Sequence, residues 1–103
     1  MTVKIESSQP DWVLVVAFIN KTLKDATGLL NGINQEAVRH YVYYSEYEMA
    51  FEVLFLEIMK FPKIDFFDCD KALEFASLLK LNTDTVYDDC FFDKLVDYCT
   101  TGK

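Results

Sequence analysis

The stretch Tyr41 to Pro62, YVYYSEYEMAFEVLFLEIMKFP, is at once the most apolar, most aromatic and most helix-patterned segment of the chain, and its reading decides the fold. Taken as a helix from about Ser45, it places Tyr47, Ala50, Phe51, Leu54, Ile58 and Phe61 on one stripe at the i, i+3, i+4, i+7 spacing of an amphipathic helix. Met49, Val53, Leu56 and Met59 make the opposite face hardly less apolar, and a helix apolar nearly all round is covered on several sides. This is therefore the expected central helix. Glu48 and Glu52 are neighbours on its surface and repel by roughly 0.2–0.5 kcal/mol. Glu46, Val53 and Glu57 form a second rail. Because Glu is almost never fully buried unpaired, both rails are expected at solvated edges.

Working outward, 103 residues are expected to form one domain, residues 1–103, with a single core. With 51% hydrophobic and 16% aromatic residues but only three Gly and two Pro, the chain lacks the turn residues of an all-β protein and reads as all-α, a bundle of about four to six helices around residues 45–61. The formal net charge of −7 disfavours nucleic acid or an anionic membrane as partner and suits a basic one. The excess is one-sided. Residues 1–44 hold four acids (Glu6, Asp11, Asp25, Glu36) and four bases (Lys4, Lys21, Lys24, Arg39), whereas residues 45–103 hold thirteen acids and six bases.

Cys69, Cys90 and Cys99 match no zinc or redox spacing and are expected as free thiols, mostly small buried hydrophobes, in a reducing compartment. The uncharged run Trp12 to Ile19 is too short to span a bilayer, and Glu6 and Asp11 ahead of it do not fit the positive n-region of a secretory signal. A soluble, cytoplasmic protein is the expectation.

In chain order, Ser7 or Ser8 is expected to cap a first helix, with Pro10 and Asp11 in its first turn and Trp12, Val15, Val16, Ile19 and Leu23 on one face, although the β-branched run would also suit a buried strand. Thr27, Gly28, Asn31 and Gly32 read as a loop, and Asn34 as the N-cap of a helix carrying Ala37, Val38 and Tyr41. Ser45 with Glu48 is a capping-box pattern, which predicts a break near Tyr44. Pro62 ends the central helix. Asp65, Asp68 or Asp70 caps the next one, which runs to about Leu81, and after Asn82, Thr83 and Asp84 a last helix spans about Thr85 to Tyr98, burying Phe91 and Leu95, with Gly102 as terminator.

Catalytic signatures are sparse. His40, the single histidine, lies in an Arg-His-Tyr run and reads as a partly exposed helix residue, and there is no phosphate loop, nucleophile elbow or paired histidine motif. Asp68, Asp70, Asp84, Asp88 and Asp89 lack the glycine and closing Glu of a calcium loop. Neither metal nor cofactor is expected, and an enzyme using paired carboxylates is the weakest of the functional readings. What remains is an acidic surface interleaved with tyrosines. Tyr41, Tyr43, Tyr44 and Tyr47 point in directions too different for all to enter the core, and an exposed Tyr suits a protein interface. Tyr43 and Tyr44 beside Glu46, Glu48 and Glu52, with Asp88 and Asp89 on the last helix as a further acidic face, are the candidate binding residues.

The segment Ser45-Glu46-Tyr47-Glu48-Met49-Ala50-Phe51-Glu52-Val53-Leu54, followed by Phe55-Leu56-Glu57-Ile58, resembles the E-x-E-M-A-x-E-x-L core of small immunity proteins of bacterial polymorphic toxin systems, including contact-dependent growth inhibition immunity proteins and the MafI family. The resemblance covers about a quarter of the chain. It implies a cytosolic non-enzymatic inhibitor that binds, 1:1, the basic C-terminal toxin domain of its own system, typically a nuclease, with Glu46, Tyr47, Glu48 and Glu52 in the interface. A nuclease surface is basic because its substrate is a polyanion, so an acidic inhibitor matches it. The alternative is an acidic DNA mimic or regulatory adaptor bound to a basic host protein.

Overall fold

The computed structural model describes residues 12–61 and 67–101, and among these the chain forms five α-helices and no strand: α1 (Trp12–Asp25), α2 (Gly32–Tyr43), α3 (Tyr47–Ile58), α4 (Cys69–Leu78) and α5 (Phe91–Thr101). The all-α reading holds. Helix α3 is central: it packs on α1, α2 and α5, while α4 packs on α5. Along its expected stripe Ala50, Phe51, Leu54 and Ile58 are fully buried, and Tyr47 and Phe61 are half-buried against the core. Phe55, off that stripe, is also fully buried, because Phe18 of α1 and Phe67 close over its ring. Phe18 meets Phe51, Phe55 and Phe75, and Phe51 meets Phe91 edge-on, so one aromatic cluster ties α1, α3, α4 and α5 together. Full burial of each such ring contributes about 1.5–3 kcal/mol.

Helix rather than strand wins in α1 because its buried positions, Val15, Ile19 and Leu23, recur every fourth residue. Trp12, expected on that face, is substantially exposed and tilts over Tyr47. The caps expected at Ser7, Ser8, Pro10 and Asp11 lie outside the described residues, as do Pro62, Lys63, Asp65 and Gly102. Helix α2 begins earlier than expected: the N-cap is Asn31, not Asn34, and the Asn31 side-chain oxygen accepts the Asn34 N–H at 2.8 Å.

The break between α2 and α3 falls near Tyr44 as expected, but not through a capping box. Glu46 is the N-cap and makes no side-chain cap hydrogen bond, while Ser45 sits in the left-handed region at φ 62°. The Ser45 N–H donates to the Val42 carbonyl and the Glu46 N–H to that of Tyr41, which is the Schellman arrangement, with Ser at the position where Gly is usual. Lys80, at φ 64°, ends α4 in the same way, its N–H donating to Ser77 and that of Leu81 to Ala76. This turn stops α4 at Leu78, short of the expected Leu81, and sends Leu79 and Leu81 into the core. Of the alternative caps for α4, Asp68 is the one used, accepting the Lys71 N–H at 3.1 Å. Helix α5 begins at Phe91 rather than Thr85, so Tyr87, Asp88 and Asp89 lie in a connecting segment and not on a helix.

Cys69, Cys90 and Cys99 are free thiols; Cys69 and Cys99 are half-buried, but Cys90, just ahead of the first buried residue of α5, is exposed, contrary to the expectation of burial. No helix among the described residues is long and apolar enough to cross a membrane.

Candidate functional site

The C-terminal end of α2 and its cap carry the most exposed aromatic side chains among the described residues, Tyr43 at 79% and Tyr44 at 59%. Tyr44 lies between its neighbours, with ring centroids 4.7 Å from His40 and 4.9 Å from Tyr43, the latter edge-on. The half turn between positions 41 and 43 separates roles. Tyr41 faces inward and across, its hydroxyl hydrogen-bonded to that of Tyr87, whereas Tyr43 and Tyr44 face water. Tyr47 is half-buried against Trp12 at 5.1 Å and donates to the Ser45 hydroxyl at 3.3 Å, so it supports the corner more than it offers a free face.

Of the candidate acids, Glu46 is exposed and Glu48 half-buried at the start of α3. Glu52 does not lie at a solvated edge: it is 0% exposed, and its carboxylate accepts the backbone N–H groups of Val86 at 2.9 Å, Tyr87 at 3.0 Å and Asp88 at 2.8 Å. Three consecutive donors replace the water that a buried carboxylate loses, which is why no cation is needed beside it. Glu52 therefore cannot touch a partner directly; it shapes the segment that can. A charge reversal at Glu52 is expected to unmake the segment rather than leave the fold intact.

That segment presents Val86 and Tyr87 to solvent. The Tyr87 hydroxyl is pushed up to about 12, first by burial and then by its hydrogen bond to Tyr41, with the charges of Glu52 and Glu46 adding to it. It stays protonated at any working pH. Asp88 is half-buried and committed: it accepts the Cys90 N–H at 2.8 Å and pairs with Lys94 at 2.5 Å. The Lys94 bond first and the Cys90 N–H second hold its carboxyl below the usual range. Asp89 is exposed.

An open cleft of about 370 Å³ separates the α2–α3 corner from this segment and the end of α4. Ser45, Glu46, Glu48 and Met49 line one side; Leu79, Lys80, Asp84, Thr85 and Val86 line the other. Both left-handed residues, Ser45 and Lys80, stand on its walls. The structure thus brings Glu46 and Glu48 to one cleft, leaves Tyr43 and Tyr44 exposed one turn earlier in the chain, and diverts Glu52 and Asp88 to internal bonds. Sequence reasoning missed Met49, Lys80, Asp84, Val86 and Tyr87. For Glu52 a signal existed: its helical neighbours at i−3, i+3 and i+4 are Met49, Phe55 and Leu56, an apolar setting for a carboxylate. For Val86 and Tyr87 none existed, since they are held by remote groups, Glu52 for both backbone N–H groups and Tyr41 for the Tyr87 hydroxyl.

Among the described residues no group of three or more His, Cys, Asp or Glu is placed to hold a metal ion. Comparison with protein-family models, curated proteins and solved structures finds no match to this chain.

Proposed function

We propose that the protein is a cytoplasmic immunity protein, not an enzyme, that binds the basic C-terminal toxin domain of its own contact-dependent inhibition system, in a 1:1 complex, and neutralises it by covering the active site. The observation that carries the reading is the exposed Tyr43–Tyr44 pair beside Glu46 and Glu48, large rigid rings next to carboxylates on one corner of an acidic molecule. Such a combination supplies contact area from the rings and steering from the charges. The resemblance of residues 45–58 to immunity-protein cores names the kind of partner, most often a nuclease, whose polyanion-binding surface an acidic corner complements.

The test is co-expression with the C-terminal domain of the protein encoded immediately upstream, first expressed alone to establish whether it is toxic. Growth should be rescued, and purified toxin domain should bind with an on-rate that falls steeply with salt, since screening limits steering to roughly 8 Å at physiological ionic strength. Reversing Glu46 and Glu48 to Lys should weaken binding by about tenfold or more, the scale of truncating or reversing charges at a complementary interface. The same change at Asp25, at the C-terminal end of α1, should have little effect. No rescue, and no complex with the neighbouring toxin domain, would sink the proposal.

A further inference from the structure

We infer that the cleft between the α2–α3 corner and the α4–α5 connection takes an arginine side chain from a basic protein partner. The source of the arginine rests on the immunity reading; the chemistry of the cleft does not. Its lining is of two kinds. Met49, Leu79 and Val86 supply apolar surface, and Glu46, Glu48 and Asp84 supply carboxylates against the single cation Lys80. Among the described residues none of those three carboxylates belongs to an ion pair, whereas Asp25, Glu36, Glu57 and Asp88 are each matched to a Lys or Arg. The exposed Asp70, Glu74, Asp89 and Asp93 have no ion pair among the described residues either; what sets Glu46, Glu48 and Asp84 apart is that they flank an apolar wall in one cleft.

The two kinds of surface together select the occupant. A purely apolar side chain would desolvate the carboxylates without compensation, and an anion would meet three of them. A long aliphatic stem with a cationic head covers the apolar wall and reaches the acids. Arginine fits better than lysine, because its planar fork of five donors bonds two carboxylates at once and sheds water more readily. At about 370 Å³ the cleft lies at the small end of ligand-sized pockets, room for one extended side chain and its waters. The wall formed by residues 84–86 is held in place by the bond from Glu52 to the Val86 N–H, so the cleft is built before a partner arrives.

The probe is N-acetyl-arginine N-methylamide, titrated into the isotope-labelled full chain and followed by amide shifts, with the lysine and citrulline analogues as comparisons. Saturable shifts at Glu48, Lys80 and Val86, with the other two analogues weaker by about tenfold, support the inference. Absence of saturation, shifts centred elsewhere, or equal binding of lysine or citrulline overturns it. The Glu48→Gln/Asp84→Asn variant should lose about tenfold in arginine affinity with an otherwise unchanged spectrum. If that variant does not fold, Glu46→Gln, at an exposed position, should show a loss that Glu36→Gln does not; equal behaviour of the two refutes the cleft. A cleft that binds the probe in a protein that fails to rescue growth would fault the immunity reading alone. Rescue and toxin affinity unchanged by the cleft variant would fault this inference alone.

Discussion

The two connections Ala26–Asn31 and 79–90 are ordered by opposite means. The first is held by its neighbours: the Leu29 and Leu30 N–H groups donate to the Ala26 carbonyl, the Thr27 hydroxyl to Leu23, and the Gln35 amide to Leu30 at 2.8 Å and Thr27 at 3.2 Å. Every one of these bonds spans eight residues or fewer. The second is held at its middle by Glu52, a carboxylate 34 to 36 residues away. A loop made of local bonds can form as its flanking helices form. A loop made on a buried carboxylate forms only when the helix carrying that carboxylate is already packed. The second kind fixes the middle of a segment whose two ends are held by local bonds, from Thr83 and Asp84 to Lys80 and from Cys90 to Asp88, and it is the one beside the candidate binding corner.

The largest effect is expected at Glu52. Glu52→Ala should cost about 3–5 kcal/mol in urea unfolding, since three N–H groups worth about 1–3 kcal/mol each lose their acceptor and water relieves only part of the loss. Amide exchange at residues 86–88 should accelerate well beyond the global change. A cost below about 1 kcal/mol would show that the segment is held by something other than Glu52. Gln35→Ala, which removes two bonds from the local connection, should cost only about 0.5–1.5 kcal/mol, and exchange in the second connection should be untouched. If it matched Glu52→Ala, local and remote anchoring would be equivalent and the contrast would be lost.

Smaller effects sharpen the picture at the corners. Ser45→Gly and Lys80→Gly should each stabilise by up to about 1 kcal/mol, because Gly adopts φ near +60° without the Cβ clash that Ser and Lys bear there. A loss in either variant would mean that the side chain makes contacts worth more than the strain. Asp88→Asn probes the end of the remote connection by pH. The Asp88 carboxyl is held below its ordinary 3.8 by Lys94 and the Cys90 N–H, so its stabilising contribution is present above that value and is lost as pH falls through the lower folded value. The gap between wild type and Asp88→Asn should therefore be open at pH 7 and close in strong acid. A gap independent of pH would mean that the pair with Lys94 contributes nothing.

Much of this fold is legible in the sequence. The 3.6-residue periodicity of Phe51, Leu54 and Ile58, the four-residue recurrence of Val15, Ile19 and Leu23, and the scarcity of Gly and Pro together specify a helical domain with α3 at its centre. These are local properties, and the hydrophobic effect acts on them wherever the chain goes. That some ring among Tyr41, Tyr43, Tyr44 and Tyr47 must be exposed follows equally from helical geometry; that the exposed ones are Tyr43 and Tyr44 came from the packing. Tertiary structure alone decided where α4 stops and α5 starts, that Glu52 lies inside while Glu48 faces a cleft, that Val86 stands across that cleft from the start of α3, and that Tyr87 meets Tyr41. Left-handed turns at Ser45 and Lys80 carry no glycine to mark them, and the reach of a carboxylate to N–H groups more than thirty residues away has no period to read. Burial of a polar group depends on what the rest of the chain can bring to satisfy it, and that is settled only when the helices have packed.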